Sequence, residues 1–290
     1  MYDIIVVGAG PAGLTAALYA LRASKSVLVI EQSTFGGQVT FSPKIENYPG
    51  IPEMSGNEFA DKLLDQVLSM GAEVEMEKVT GISDLGGHKT VFAGNKAYEA
   101  KAVIIAVGVR HRQLGLPREN ELVGNGVSYC AVCDGAFFKG QTVGVVGGGN
   151  SALQEAVLLS DLCEKVYVLQ NLPYLTGEKK LVDILEATVA ELQGENELSG
   201  VKLNTKDGEK EISLNGLFVA IGLEPKNSAF ADVTALDRNG YFDSDESCVT
   251  KSEGIFVAGD CRKKSIRQIT TASADGAVAA LAACRYIDNK

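Results

Sequence analysis

The sequence has no tryptophan, only two histidines and only seven prolines in 290 residues. With His88 and His111 alone available, a structural zinc site is not expected. Such a site wants two cysteine pairs, or one cysteine pair with a histidine pair. Basic residues are also in short supply, 27 Lys and Arg against 37 Asp and Glu, and the formal net charge is −10. That balance argues against nucleic acid or an anionic membrane surface as a general partner. Long apolar runs are missing, since Gly or a charge interrupts each one, so no bilayer span is expected. Asp3 stands where a secretory leader carries Lys or Arg, so the N-terminal run reads as a first strand, and a cytoplasmic location is expected. Apolar residues at 46% and charged residues at 22% exclude a disordered or fibrous chain.

Glycine is what the chain has in excess: 32 residues, about 11% against an average usage of about 7%. The glycines cluster in turns that recur along the chain. Residues 3–7 are a continuous apolar, β-branched run, the pattern of a strand buried on both faces of a parallel sheet. Gly8-Ala9-Gly10-Pro11-Ala12-Gly13 follows at once, residues 14–23 read as a helix, and residues 26–30 as a second strand ending at Glu31. This is the dinucleotide fingerprint in its required context. Gly8 permits the turn, Gly10 lets the backbone approach a pyrophosphate, Gly13 allows close helix–strand packing, and the helix N-terminus faces the phosphate charge. Glu31 is suited to accept hydrogen bonds from a ribose diol.

The plan repeats. Residues 142–146 form an apolar strand, Gly147-Gly148-Gly149-Asn150-Ser151-Ala152 a second phosphate-type turn, residues 153–162 a helix and 165–169 a strand. Each copy closes with an apolar strand, 102–108 and 217–222, preceded by a hairpin-like segment, 89–100 and 201–214. The second copy is abbreviated, with a short helix expected around 178–185. A third closing strand, 255–260, and an apolar helix, 272–286, come after it. So apolar a strand needs a sheet to join, and the first domain supplies one. The fold class is therefore α/β, with two Rossmann-like dinucleotide-binding domains, the second inserted into the first. Residues 1–111 and 241–290 form the discontinuous first domain and 112–240 the second. Junctions near 112 and 240 are expected to be short paired crossovers, where domains hinge.

Of six cysteines, Cys163, Cys248, Cys261 and Cys284 stand alone in apolar surroundings and read as small buried hydrophobes. Cys130 and Cys133 differ, being spaced as Cys-Ala-Val-Cys. Two dinucleotide folds and one Cys-x-x-Cys in a reducing compartment point to electron transfer between a dinucleotide cofactor and a disulfide.

At these residues the chain resembles the low-molecular-weight thioredoxin reductases, over nearly its whole length. The resemblance is carried by the GAGPAGL turn, Phe35-Gly-Gly-Gln-Val39, Ile45-Glu-Asn-Tyr-Pro-Gly50, Cys130-Ala-Val-Cys-Asp-Gly135, the GGGNSA turn, Ala258-Gly-Asp-Cys261 and Arg267-Gln-Ile-Thr-Thr271. It implies that the first fingerprint holds FAD, with Gly8, Gly10, Pro11, Ala12, Gly13, Glu31 and Gln32 on the nucleotide side. Gly37, Gln38, Asn47, Gly108, Gly259, Asp260, Arg267, Gln268 and Ile269 would serve the ribityl and ring side. It implies that Cys133 lies over the flavin, that Cys130 attacks the disulfide of thioredoxin, and that Asp134 is the acid/base residue. On the residues alone, Asp134 also fits a helix cap. A homodimer is implied as well.

One departure bears on the electron donor. Where NADPH-dependent members carry a His-Arg-Arg run after the second domain's second strand, this chain has Gln170-Asn171-Leu172. A 2′-phosphate wants Arg and an unphosphorylated ribose wants a carboxylate; Gln and Asn provide neither. The family's further Arg is absent too, with Lys179 and Lys180 in that stretch. The second nucleotide-like site, with Gly147, Gly149, Asn150, Ser151 and Ala152, thus reads as degenerate. That pattern resembles the ferredoxin-dependent flavin thioredoxin reductases of anaerobes, and a related diflavin type that places a second flavin there. The alternatives are ordinary NADPH dependence and, from another class, a non-catalytic redox sensor or nucleotide-binding module. An alkyl-hydroperoxide-type reductase is disfavoured, because it carries a further N-terminal thioredoxin-like region.

Overall fold

The computed structural model describes residues 1–84, 86–170 and 183–290. The chain divides into two compact units: Met1–Arg110 with Glu224–Lys290, and His111–Leu223.

The first unit opens with β1 (Tyr2–Val7), α1 (Pro11–Arg22) and β2 (Val27–Glu31). Proline at the first helical position of α1 gives up no hydrogen bond, since that N–H has no partner within a helix. Then come α2 (Gly56–Ser69), β3 (Glu73–Met76), β4 (Val79–Asp84), β5 (Lys89–Ala93) and β6 (Lys96–Ile105). A capping box starts α2: the Ser55 hydroxyl accepts the Glu58 N–H at 3.1 Å while the Glu58 carboxylate accepts the Ser55 N–H at 3.2 Å. The expected hairpin and closing strand are one element. The N-terminal half of β6 pairs antiparallel with β5, and its C-terminal half runs parallel beside β1.

The chain leaves through β7 (Arg110–His111) into the second unit: α3 (Glu119–Leu122), β8 (Val127–Ser128), α4 (Ala131–Asp134), β9 (Thr142–Val146), α5 (Asn150–Ser160), β10 (Lys165–Gln170), β11 (Asp183–Gln193), β12 (Gly200–Thr205), β13 (Gly208–Ser213) and β14 (Gly216–Val219). Its sheet has the order β13-β12-β11-β10-β9-β14-β8. The return strand β15 (Leu223–Glu224) pairs with β7 in a two-stranded ribbon. Finally β16 (Ile255–Val257) joins the first sheet beside β6, and α6 (Ile269–Asp288) closes the chain.

In the first unit the sheet order is β3-β2-β1-β6-β5-β4, with β16 also on β6. Alternate residues of its parallel strands feed two cores. Ile4, Val6, Val27, Val29 and Ile104 meet the alanines of α1 and α6, while Ile5, Val7, Leu28, Ile30 and Ile105 meet Phe230 and Phe242. Each such side chain contributes about 1.5–3 kcal/mol on burial. Both faces being covered explains the unbroken apolar runs. The second unit repeats the scheme: Val143, Val145, Val166 and Val168 pack under α5, and Leu169, Leu217 and Val219 against the β11–β13 meander.

Two expectations differ from the structure. The return to the first unit falls at 223/224 rather than near 240, because residues after it already belong to that unit's core. There Asn227 Nδ2 donates to the Gly240 and Cys261 carbonyls, at 2.9 Å each, and the Phe230 and Phe242 rings lie 6.1 Å apart. The short helix expected at 178–185 lies partly outside the described residues, and its described end opens β11. That strand runs parallel to β10 at its start and antiparallel to β12 beyond, so sheet pairing overrides local helical preference.

Candidate active site

In the first unit, β1, β2 and β6 deliver a cradle at their carboxyl ends, on the side where the strand order reverses. Gly8 turns the chain at φ +104°, and a Cβ there would sit 2.4 Å from the Ala106 carbonyl oxygen. Gly13 lies so close under the turn that a Cβ would stand 1.8 Å from the Gly8 oxygen. At Gly10, by contrast, a Cβ would meet nothing nearer than the Gly36 oxygen at 3.8 Å. The cradle is therefore open where a phosphate needs to approach, and no side chain caps the first turn of α1. Ala12 is buried in that turn beside the half-buried Pro11.

Glu31 ends β2 with 8% exposure. Its Oε2 accepts the Ala9 N–H at 2.8 Å, and its Oε1 accepts the Gln32 and Ser33 N–H groups at 2.8 and 3.0 Å. The expected ribose ligand thus also braces the glycine turn, a role the sequence did not suggest. Gln32 beside it is exposed.

Around the cradle, the Gly36 N–H donates to the Ala9 carbonyl at 2.8 Å. Gly37 and Gln38 open the next short turn, and the Gln38 amide donates to the carbonyl of Val109, next to Gly108. Asn47 and Gln268 meet through Asn47 Nδ2 and Gln268 Oε1, 3.4 Å apart. Gln268 is the N-cap of α6, with Ile269 the first helical residue. The Arg267 guanidinium lies 4.4 Å from the centre of the Tyr241 ring, and its Nε donates to the Asp260 carbonyl at 3.3 Å. Arg267 is half-buried rather than a surface basic residue.

Asp260 follows β16. Its Oδ1 is buried with no hydrogen-bond partner among the described residues, and burial pushes its carboxyl up to about 6. A buried carboxylate oxygen left unpartnered costs free energy until a donor reaches it, and a sugar-alcohol hydroxyl is such a donor. The open cradle at Gly10 and this orphan oxygen both fit a dinucleotide carrying a ribityl chain.

The Gly259–Asp260 turn is fixed from behind. Asp275 on α6 accepts the Gly259 N–H at 3.0 Å, two Arg262 bonds at 2.8 Å each and a Lys264 bond at 2.9 Å. Burial pushes Asp275 up, but Arg262 and Lys264 outweigh it and hold the carboxyl below its usual range. Arg262 is fully buried and the Lys264 side chain is 5% exposed. Lys264 is thus held inside this network, whereas Lys263 is exposed.

In the second unit Cys130 and Cys133 form a disulfide with a Cα–Cα distance of 5.3 Å. Cys130 is the N-cap of α4, and its Sγ accepts the Cys133 N–H at 3.2 Å. Ser128, at the end of β8, links the pair to Asp134. Its hydroxyl accepts the Cys130 N–H at 3.1 Å and donates to Asp134 Oδ2 at 2.6 Å. Asp134 Oδ1 is buried with no partner among the described residues, and burial, opposed by the Ser128 bond, raises the carboxyl above its ordinary range. Asp134 makes no capping bond to the following turn, so the capping alternative fails. Ser128 was invisible in the sequence, being one serine on a two-residue strand outside any motif. The other four cysteines are free. Burial pushes Cys248 and Cys261 up to about 12, which keeps them as thiols.

The second glycine turn connects β9 to α5. Gly147 has φ +141°, Gly149 is the N-cap, Asn150 and Ser151 are exposed and Ala152 is buried. Gln170 ends β10 at 5% exposure, while Asn171, Leu172, Lys179 and Lys180 lie outside the described residues. Among the described residues no group of three His, Cys, Asp or Glu is placed to hold a metal ion, and no helix is long and apolar enough to cross a membrane.

Two dinucleotide-binding Rossmann-like units and a Cys-x-x-Cys disulfide on one chain define the class of nucleotide-linked disulfide oxidoreductases. Residues 2–276 match the family model described as pyridine nucleotide-disulphide oxidoreductase, and the chain belongs to that family. It is 42% identical over 301 residues to a thioredoxin reductase of Listeria monocytogenes, an alignment covering 99% of this chain and 94% of the relative. Among solved structures, a thioredoxin reductase from Streptococcus pyogenes superposes with a TM-score of 0.96 at 39% identity, covering 100% and 99% of the two chains. A ferredoxin-flavin thioredoxin reductase from Clostridium acetobutylicum gives 0.56 at 33% identity, covering 99% and 98%.

Proposed function

We propose that the protein is an FAD-dependent disulfide reductase whose substrate is the disulfide of thioredoxin. The observation that carries this reading is the Cys130–Cys133 disulfide at a helix start, joined through Ser128 to the buried carboxyl of Asp134. The thioredoxin reductases to which the chain is similar support the substrate.

The cradle of Gly8, Gly10, Pro11, Ala12 and Gly13 would hold the FAD pyrophosphate, Glu31 and Gln32 the adenosine ribose, and Asp260 with Gly259 the ribityl chain. Gly37, Gln38, Asn47, Gly108, Arg267, Gln268 and Ile269 would line the ring. Bound FAD would supply the two electrons that open the Cys130–Cys133 bond. Cys130, as N-cap of α4, has its thiolate favoured by the first-turn N–H groups. It attacks one sulfur of the thioredoxin disulfide, forming a mixed disulfide and releasing one thioredoxin thiolate. Cys133 then attacks Cys130, restoring the internal disulfide and releasing the second thiolate. Asp134, holding its proton above the usual carboxylate range, protonates a leaving sulfur.

For the donor, we propose reduced ferredoxin or another donor that is not NADPH, supported by Gln170 at the end of β10, where a 2′-phosphate site needs Arg. Each charge-assisted bond to a phosphate contributes about 1.5–3 kcal/mol, so two missing Arg weaken NADPH binding by roughly two to four decades. A second reading, ordinary NADPH dependence, is favoured by the intact turn at Gly147–Ala152, whose Gly149 has open space beside it. A second flavin at that turn is the third occupant. Anaerobic mixing of the oxidised holoprotein with NADPH, NADH or reduced ferredoxin, followed by flavin bleaching, tests the donor. Fast bleaching by ferredoxin alone supports the first reading; stoichiometric bleaching by micromolar NADPH restores the second. The reading also carries a homodimer, checked by light scattering giving two chains per particle.

A further inference from the structure

The buried face of α6 consists of Ala, Ser, Gly and Cys except at Asp275, which is 5% exposed. A carboxylate in such a place is costly unless it is paired and hydrogen-bonded. Asp275 is paired with donors from the loop that carries Gly259 and Asp260. Its Oδ2 accepts the Gly259 N–H, Arg262 Nε and Lys264 Nζ, and its Oδ1 accepts Arg262 Nη2. We propose that Asp275 is a positioning residue for the flavin half of FAD: it holds the Gly259–Asp260 turn ready for the ribityl chain before the cofactor arrives, and leaves the adenosine-diphosphate half to the glycine cradle. This rests on the cradle and Asp260 being the FAD site.

Three contacts meet at this carboxylate. Gly259 lies directly on the pyrophosphate helix, since a Cβ there would stand 2.8 Å from Ala12 Cβ. Gly276, next to Asp275, brings α6 onto the same residue, with a Cβ 2.1 Å from the Ala12 oxygen. The Gly259 N–H bond to Asp275 is thus the polar tie between the turn and the helix pair behind it. On the ring side, Arg262 is clamped by Asp275 through two nitrogens, and the Arg262 carbonyl accepts Arg267 Nη2 at 3.5 Å. Asp260 Oδ1 has no partner among the described residues, so its aim depends on the backbone of the turn. A binding group held in place beforehand spares the cofactor the cost of ordering it. The place of α1, by contrast, follows from the close packing of Gly13 and Gly276, which does not involve the Asp275 carboxylate.

The test compares FAD with ADP, which carries the adenosine and pyrophosphate but no ribityl chain or ring. Both are titrated into the holoprotein after its flavin has been removed, FAD by flavin fluorescence and ADP by calorimetry. Asp275→Asn offers one oxygen where four donor contacts converge on two, and removes the charge that strengthens them. The expected result is FAD affinity down about tenfold, with ADP affinity within twofold of wild type. A general loosening of the fold would weaken both alike. Asp275→Asn also strands the charges of Arg262 and Lys264 in the interior. Should it fail to fold, the double variant Asp275→Asn/Lys264→Met, which removes one cation together with the anion, is read in its place with the same expected split. A second reading needs no variant: hydrogen exchange at the Gly259 amide, followed by NMR, should already be slow in the flavin-free wild type. A folded variant that binds FAD as wild type does, an equal loss of FAD and ADP, or a Gly259 amide that exchanges freely until FAD is added overturns the inference and leaves the FAD site standing. A wild-type protein that takes up no FAD overturns the FAD reading, and this inference with it.

Discussion

Gly10→Ala separates folding from cofactor binding. Gly10 is the N-cap of α1, with φ −74° and ψ −177°, an extended conformation that alanine adopts without strain. An added Cβ meets only the Gly36 oxygen, at 3.8 Å. A Gly→Ala change at a compatible conformation stabilises by about 0.4–1 kcal/mol through the unfolded chain. For a chain of this size that is a rise in Tm of up to about 4 °C. The same methyl group fills the space through which the α1 N-terminus reaches a phosphate. If it costs one charge-assisted bond of about 1.5–3 kcal/mol, FAD affinity falls by one to two decades; if two, by twice that. The assay pairs calorimetry of the flavin-free protein with FAD titration followed by flavin fluorescence. The expected outcome is an apoprotein at least as stable as wild type, with FAD affinity down at least tenfold. Wild-type affinity in the variant would refute the cradle as the pyrophosphate site, and a collapse of apoprotein stability would refute the claim that the space is empty.

Three further outcomes follow from the same geometry. Gly13→Ala puts a Cβ 1.8 Å from the Gly8 oxygen, and α1 cannot retreat, because a Cβ at Gly276 of α6 would already lie 2.1 Å from the Ala12 oxygen. Overpacking of this kind costs about 1–3 kcal/mol, so thermal denaturation should show a clear loss, whereas Gly149→Ala, with nothing near its Cβ, should show none. Asp260, raised by burial to about 6, holds a proton in the folded apoprotein that the unfolded chain has released. Its folding contribution is therefore favourable in acid and is lost as pH rises from about 4 to about 6, a difference of about 3 kcal/mol. Asp260→Asn should accordingly be more stable than wild type at pH 7 as the apoprotein, converge with it by pH 4 in urea titrations, and bind FAD more weakly. Asp134→Asn should keep the disulfide and the bound flavin but slow thioredoxin turnover by about 10²-fold or more. The wild-type rate should fall with rising pH as Asp134 loses its proton, and the variant's profile should be flat there.

Much of this was legible in the sequence, for a physical reason. Strands buried on both faces must be continuously apolar, and a pyrophosphate-binding turn must be glycine at fixed offsets, so β1, α1, β2 and the Gly8–Gly13 cradle announced themselves. The Cys-x-x-Cys pair did so through spacing alone. What stayed hidden depends on contacts distant in sequence. Asp275 steadies Gly259 across sixteen residues, and Ser128 reaches Asp134 from another element. The junction at 223/224 was missed because Asn227 and Phe230 look like loop residues until Gly240, Cys261 and Phe242 are seen around them. Residues 183–185 were misread because pairing with β10, not local propensity, decides their conformation.

The most direct measurement of the central claim is anaerobic and stoichiometric. The FAD-loaded protein, photoreduced at its flavin and freed of reductant, is mixed with oxidised thioredoxin, and thioredoxin thiols are counted after acid quenching. The expected result is one thioredoxin disulfide reduced per flavin reoxidised in the wild type. Cys130→Ser should give none, and Cys133→Ser should give a stable mixed disulfide through Cys130. Thioredoxin left oxidised by the reduced wild-type protein, or reduced equally well by both serine variants, would contradict it.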